Sequence, residues 1–197
     1  MMVDGISIVS MLSNGFNLND IISNETWKLS GKNLTNDDFV IIANFMNSVD
    51  TNVKDLNLAN NQISDISPLT SITTLRRVDL GKNNITDISP IMNNNTLEML
   101  DLQKNNIVNI SPLQGNTTLK TLSLVNNNIV DIAPLQDNTT LQTLSLSQNK
   151  ITDLSPIQDN NTLKSLFLRE NEINEADKKK FKENWKSLRS SPGLLLI

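Results

Sequence analysis

Six stretches of this chain share one wording. Val53, Leu75, Leu97, Leu119, Leu141 and Leu163 each open it, and every step between them is 22 residues with no insertion. The shared pattern is LxxLxLxxNxIxxISPLxxNTT, almost whole from Leu119 to Thr140. A fixed period of this length leaves few folds open. One copy is too small to bury its own apolar face, so copies must stack and share a continuous core.

The wording has a mechanism. Leu56 and Leu58, like Leu100 and Leu102, alternate with polar neighbours, so each copy begins with a short strand whose leucines face inward. Stacking pairs these strands in parallel, at about 4.8 Å per copy. The chain must then return to start the next strand. A proline recurs on that return at Pro68, Pro90, Pro112, Pro134 and Pro156, which disfavours a long helix and predicts a short irregular path. Ile66, Ile88, Ile110, Ile132 and Leu154 anchor the return to the core, with Leu69, Ile91, Leu113, Leu135 and Ile157 three residues further on.

The repeat also explains the 31 asparagines among 197 residues. Asn61, Asn83, Asn105, Asn127, Asn149 and Asn171 follow each strand, where the turning backbone leaves buried amides and carbonyls unpaired. A side-chain amide there can bond its own coil and the next, forming a ladder. Asn94, Asn116, Asn138 and Asn160 make a second column on the return, with Ile72 in the corresponding place of the first copy. The N-x-T sequons at this second column arise from the repeat wording, and a structural role is expected for them.

This wording resembles the leucine-rich repeat family. The 22-residue unit and ITDISPL-type return are similar to the bacterial internalin class and to the phosphatase-regulator-like class of eukaryotes. The resemblance implies an α/β fold: a right-handed solenoid with a parallel β-sheet on its concave face and helical N- and C-terminal caps. It also implies a non-catalytic module that binds a protein partner on that face, such as a bacterial effector or interaction protein. A phosphatase-regulator-like subunit and a structural or self-assembling solenoid are the alternatives.

Three segments are expected: an N-terminal cap over residues 1–52, the repeats over 53–173, and a C-terminal cap over 174–197. Trp27 to Leu34 reads as a degenerate first strand and turn, with Lys32 where the ladder asparagine would stand. Thr35 and Asp38 form a capping box ahead of a helical stripe of Phe39, Ile42, Ala43, Phe45 and Met46. A further helix is expected within Ile6 to Ile22. Asn174 caps a helix expected to run to Ser190, burying Ala176, Phe181, Trp185 and Leu188. Pro192-Gly193 breaks it, and Leu194 to Ile197 suits a final strand against the last coil.

Composition removes several functions. The chain has no cysteine and no histidine, which excludes disulfides, zinc sites built on those ligands, and nucleophiles paired with histidine. A net charge of −4 argues against nucleic acid as partner. No stretch approaches the roughly 18 apolar residues of a membrane span. Met1 to Gly15 carries Asp4 where a signal peptide needs a cation, so the expectation is a cytoplasmic monomer, or export without an N-terminal signal. No cofactor or metal is expected, because the carboxylate pair Asp79 and Asp101 lacks a third ligand or a nucleophile.

Function is expected where the copies differ. Strand positions between the leucines point away from the core, and their identities change from copy to copy. Arg77, Asp79, Met99 and Asp101 give the early copies a charged face, with Arg77 and Lys82 available to neutralise the aspartates. The middle copies are serine and threonine. Val125 flanks them, and the last copy offers Phe167 and Arg169, residue types enriched at interface hot spots. These seven residues are the candidate partner-binding set. The basic group Lys178, Lys179, Lys180, Lys182, Lys186 and Arg189 is diluted by Glu175, Asp177 and Glu183, and reads as the solvated face of the cap.

Overall fold

The computed structural model describes residues 25–48, 52–188 and 193–197. Eight parallel strands form one sheet in strict chain order: β1 (Thr26–Lys28), β2 (Asp55–Asn57), β3 (Arg77–Asp79), β4 (Met99–Asp101), β5 (Thr121–Ser123), β6 (Thr143–Ser145), β7 (Ser165–Phe167) and β8 (Leu194–Leu196). The register follows the period, so Val78 faces Leu100, Leu100 faces Leu122, and Leu122 faces Leu144. Each of these central residues turns inward and is buried, as are the second leucines from Leu58 to Leu168.

The returns are more regular than the expected irregular path. Short 3-10 helices occupy Ser67–Ser71, Ser89–Ile91, Ser111–Leu113, Ala133–Leu135 and Ser155–Ile157, each with its proline in the first two positions. Proline tolerates that place because its missing N–H has no partner to lose there. All ten return-side anchors are buried, closing the core opposite the sheet.

The first asparagine column forms a ladder. Asn83 Nδ2 donates to Leu80 O of its own coil and to Leu58 O of the preceding one, both at 3.0 Å. Its Oδ1 accepts from Ile63 N, also in the preceding coil, at 3.0 Å. Asn105, Asn127, Asn149 and Asn171 repeat this arrangement. The expected reach toward the following coil is therefore reversed. The side chain departs from a turn whose preceding residue has positive φ, from 54° to 59° at Asn60, Lys82, Lys104, Asn126, Gln148 and Glu170, and it points back along the stack. The second column runs the same way: Asn138 Nδ2 donates to Asn116 O at 3.0 Å while its Oδ1 accepts from Leu141 N at 2.8 Å. A third column lies on the return, where Asp65, Asp87, Asn109, Asp131 and Asp153 each close a turn within their own coil by accepting from the backbone N–H two residues on. It was hidden in the ITDISPL wording.

Helices stand at both ends. α1 (Asn36–Ser48) starts at the expected capping box, with Thr35 N donating to Asp38 Oδ2 at 2.8 Å. Phe39, Ile42, Ala43 and Met46 are buried, Phe45 packs partly buried against them, and its ring lies 6.0 Å from Trp27. α2 (Glu175–Ser187) is capped by Asn174, whose Oδ1 accepts from Asp177 N at 2.9 Å. Phe181 and Trp185 are its buried residues. Ala176 and Leu188, expected inside, are exposed. Two aromatics suffice to cover the last coil, so the first turn and the C-cap are left in solvent. The helix closes at Ser187, and Ser190 lies outside the described residues, as does the helix expected within Ile6 to Ile22.

Candidate binding face of the sheet

The sheet face turned away from the core carries two side chains from every strand. Register places them in rows, one strand spacing or about 4.8 Å apart. One row runs Thr26, Asp55, Arg77, Met99, Thr121, Thr143, Ser165 and Leu194. The other runs Lys28, Asn57, Asp79, Asp101, Ser123, Ser145, Phe167 and Leu196.

The early rows enclose a groove of about 350 Å³, lined among others by Asp55, Arg77, Asp79, Met99 and Asp101. Met99 is 41% exposed in it, an apolar group with nothing above it. Arg77 does not neutralise Asp79. Its guanidinium pairs with Asp55 Oδ2, one strand back, at 3.0 Å, and Thr26 Oγ1 reaches the same oxygen at 3.5 Å. The other ion pairs among the described residues are Lys54–Glu25, Lys120–Glu98 and Lys178–Glu175, so none engages Asp79 or Asp101, and Lys82 does not fill its expected role.

Both aspartates are held by the local backbone. Asp79 Oδ1 accepts from Gly81 N at 3.0 Å and Asp101 Oδ1 from Gln103 N at 2.9 Å, as Asn57 Oδ1 does from Ala59 N at 3.0 Å. Gln103 Nε2 also donates to Asp101 Oδ2 at 2.9 Å. A Cβ at position 81 would stand 2.9 Å from Gln103 Cγ and 3.3 Å from Asp79 Oδ1, so glycine there makes room for both. Burial pushes the Asp79 carboxyl above its usual range. The Gly81 N–H opposes that, and the facing charge of Asp101 adds to it. The groove thus holds an acidic pair that no cation among the described residues engages.

Of the seven candidate residues, the groove unites Arg77, Asp79, Met99 and Asp101. Val125 lies beyond β5, half-buried, outside the groove. Phe167 stands on β7, two strands beyond β5, half-buried, and Arg169 follows β7 in solvent. The candidate set left out Asp55, though the repeat places it in the outward row, together with Thr26 at the same end and Leu194 and Leu196 at the other. Leu194 pairs with Ser165 and Leu196 with Phe167, so both project on this face, Leu194 at 50% exposure. The two-residue period of a strand, which puts Leu194 and Leu196 on one face once LLLI lies against the last coil, was the available signal. Thr26 stands one residue before Trp27, where the degenerate first strand is expected to begin.

The family model for leucine-rich repeats in two copies matches residues 51–93 and 95–137, and a single leucine-rich repeat model matches 137–154. Together they take in just over half of the chain. It is a leucine-rich repeat protein. The leucine-rich repeat chain is similar to two internalins of Listeria monocytogenes. Internalin inlF aligns at 35% identity and TM-score 0.66, over 74% of this chain and 42% of that one. Internalin C2 aligns at 25% identity and TM-score 0.72, over 97% and 80%. This leucine-rich repeat protein thus spans less than half of the inlF structure. The plant peptide hormone receptor RGFR1, solved in complex with RGF2, shares the fold at 21% identity and TM-score 0.55, over 68% and 22%. No curated protein sequence matches. Among the described residues, no helix is long and apolar enough to cross a membrane.

Proposed function

We propose that this chain is a non-catalytic interaction module that binds a protein partner on the outward, concave face of its sheet. One observation carries the reading: variation among the copies is concentrated where the side chains neither pack the core nor serve the ladders. Arg77, Asp79, Met99, Asp101 and Phe167 stand on that face while the leucines and asparagines around them repeat. A face built only for stacking would repeat there as well.

The likeness to internalins supports a binding role, since solenoids of this fold present an extended sheet to other proteins. Catalysis is disfavoured by chemistry. Asp79 and Asp101 face each other in one row, each already has an oxygen engaged by a backbone N–H, and among the described residues no side-chain hydroxyl is hydrogen-bonded to either.

Affinity capture with mass spectrometry tests the reading, using the wild-type chain beside Asp79→Arg/Asp101→Arg and Phe167→Ala/Arg169→Ala. Val130→Arg, on the opposite flank where Val130 is 51% exposed, serves as control. A partner kept by the control and lost by either face variant supports the assignment. A partner lost only with Val130→Arg moves the binding surface off the sheet.

A further inference from the structure

The binding face has two unlike ends with a plain middle. At β3 and β4, Asp79 and Asp101 face each other across one strand spacing, beside exposed Met99. At β7 and β8, Phe167 faces Leu196, and Leu194 projects beside them. Between the two lie Thr121, Ser123, Thr143 and Ser145, all short and half-buried. The acidic pair and the apolar patch are therefore separate anchors across a low saddle.

We propose, resting on the concave-face reading, that the partner presents one segment with a lysine or arginine at one end and a large apolar side chain at the other. The cation sits between the Asp79 and Asp101 carboxylates, its aliphatic stem lying along Met99, and the apolar side chain covers Phe167, Leu194 and Leu196.

Charge complementarity selects the cation. Of the two cations in these rows, Arg77 is committed to Asp55 and Lys28 stands two strands from Asp79, so no ion pair compensates the negative charge of the pair beside its apolar surface. Lysine and arginine combine a charged head with an apolar stem and suit both features. The carboxylates are pre-positioned by their backbone bonds, so little ordering opposes binding. A bare divalent ion fits less well. Among the described residues no group of three carboxylates gathers, and Gln103 Nε2 already donates to Asp101.

Register also sets a length. From the midpoint of β3 and β4 to that of β7 and β8 is four strand spacings, about 19 Å. A helix crossing the strands covers that span in about 13 residues, at 1.5 Å each. The saddle of small side chains leaves room for its backbone.

The test is selection of a random 18-residue peptide display library on the full chain. The expected binders carry Lys or Arg and an apolar residue about 13 positions apart when helical. Their affinity falls about tenfold on Asp79→Asn/Asp101→Asn, the scale of losing a half-exposed ion pair with its hydrogen bonds. The Asn pair keeps the fold, because Asn57 makes the same turn in the same row. Asp79→Lys/Asp101→Lys is expected to turn the selection toward Asp and Glu. Selected binders without cation preference, or unchanged by the Asn pair, overturn the proposal. Ser145→Arg, which fills the saddle, separates the two levels. Binders insensitive to both changes, or a library yielding no saddle-sensitive binder, overturn the concave-face reading as well.

Discussion

Asn105 reaches back across a whole coil to Leu80, its Nδ2 donating to a carbonyl 25 residues earlier at 3.1 Å. The same side chain accepts from Ile85 N at 2.9 Å and is only 7% exposed. It ties two coils by their backbones rather than by side-chain contact, so its identity is as constrained as that of any core leucine.

Asn105→Leu would leave Ile85 N without its acceptor in a buried setting and would take one of two donors from each of Leu80 O and Leu102 O, which keep Asn83 and Asn127. The expected loss is about 3 kcal/mol of unfolding free energy, measured by urea denaturation. Asn171 is only partly buried, so Asn171→Leu should cost less. Equal losses at the two sites would show that burial does not set the price of the ladder bond.

Lys82 and Lys104 each hold φ at 54°, a region that costs a side-chain-bearing residue about 1 kcal/mol. Lys104→Gly should therefore stabilise the chain by roughly 0.5 kcal/mol once the extra freedom of the unfolded chain is subtracted. Lys104→Val should do the opposite. A melting series on the two variants decides it.

Asp79 and Asp87 should respond to acid in opposite senses. The Asp79 pKa is raised, so the folded state holds that proton more firmly than the unfolded chain and its contribution improves as pH falls through the raised value. Asp79→Asn is expected to stabilise at neutral pH, with the gain fading in acid. Asp87 is lowered by the Ser89 backbone N–H and hydroxyl, and Asp153 by the Ser155 hydroxyl and N–H. Their contributions are present above the ordinary value of 3.8 and are lost as pH falls below it. Denaturation midpoints of Asp79→Asn and Asp153→Ala across pH 3 to 7 should diverge from wild type in opposite directions toward neutrality.

Asn174→Ala removes the acceptor for Asp177 N and the N-cap of α2, at an expected cost of about 1 kcal/mol. Because α2 covers the last coil through Phe181 and Trp185, hydrogen exchange should rise first around β7. Exchange rising uniformly along the sheet would mean the coils unfold as one unit.

Much of this molecule could be read from spacing alone. Val78 stands where the neighbouring copies carry Leu56 and Leu100, yet it is buried and in register with both, because stacked identical coils fix each position by its distance from the last one. The strands, the buried leucines and the asparagine columns follow from that arithmetic, and so do the residues of the outward face. The partners of those residues do not. Arg77 could bond forward to Asp101's strand or back to Asp55, and a period that treats both directions alike cannot choose; the packed side chains choose Asp55. Ladder asparagines turn backward for a related reason, since the hand of the preceding turn aims them. Leu194 and Leu196 joined the face only through pairing with β7, for β8 stands outside the repeat and takes its register from contact. Periodicity determined the coil; contacts between coils and caps decided which charges remain unpaired and where apolar surface stays open.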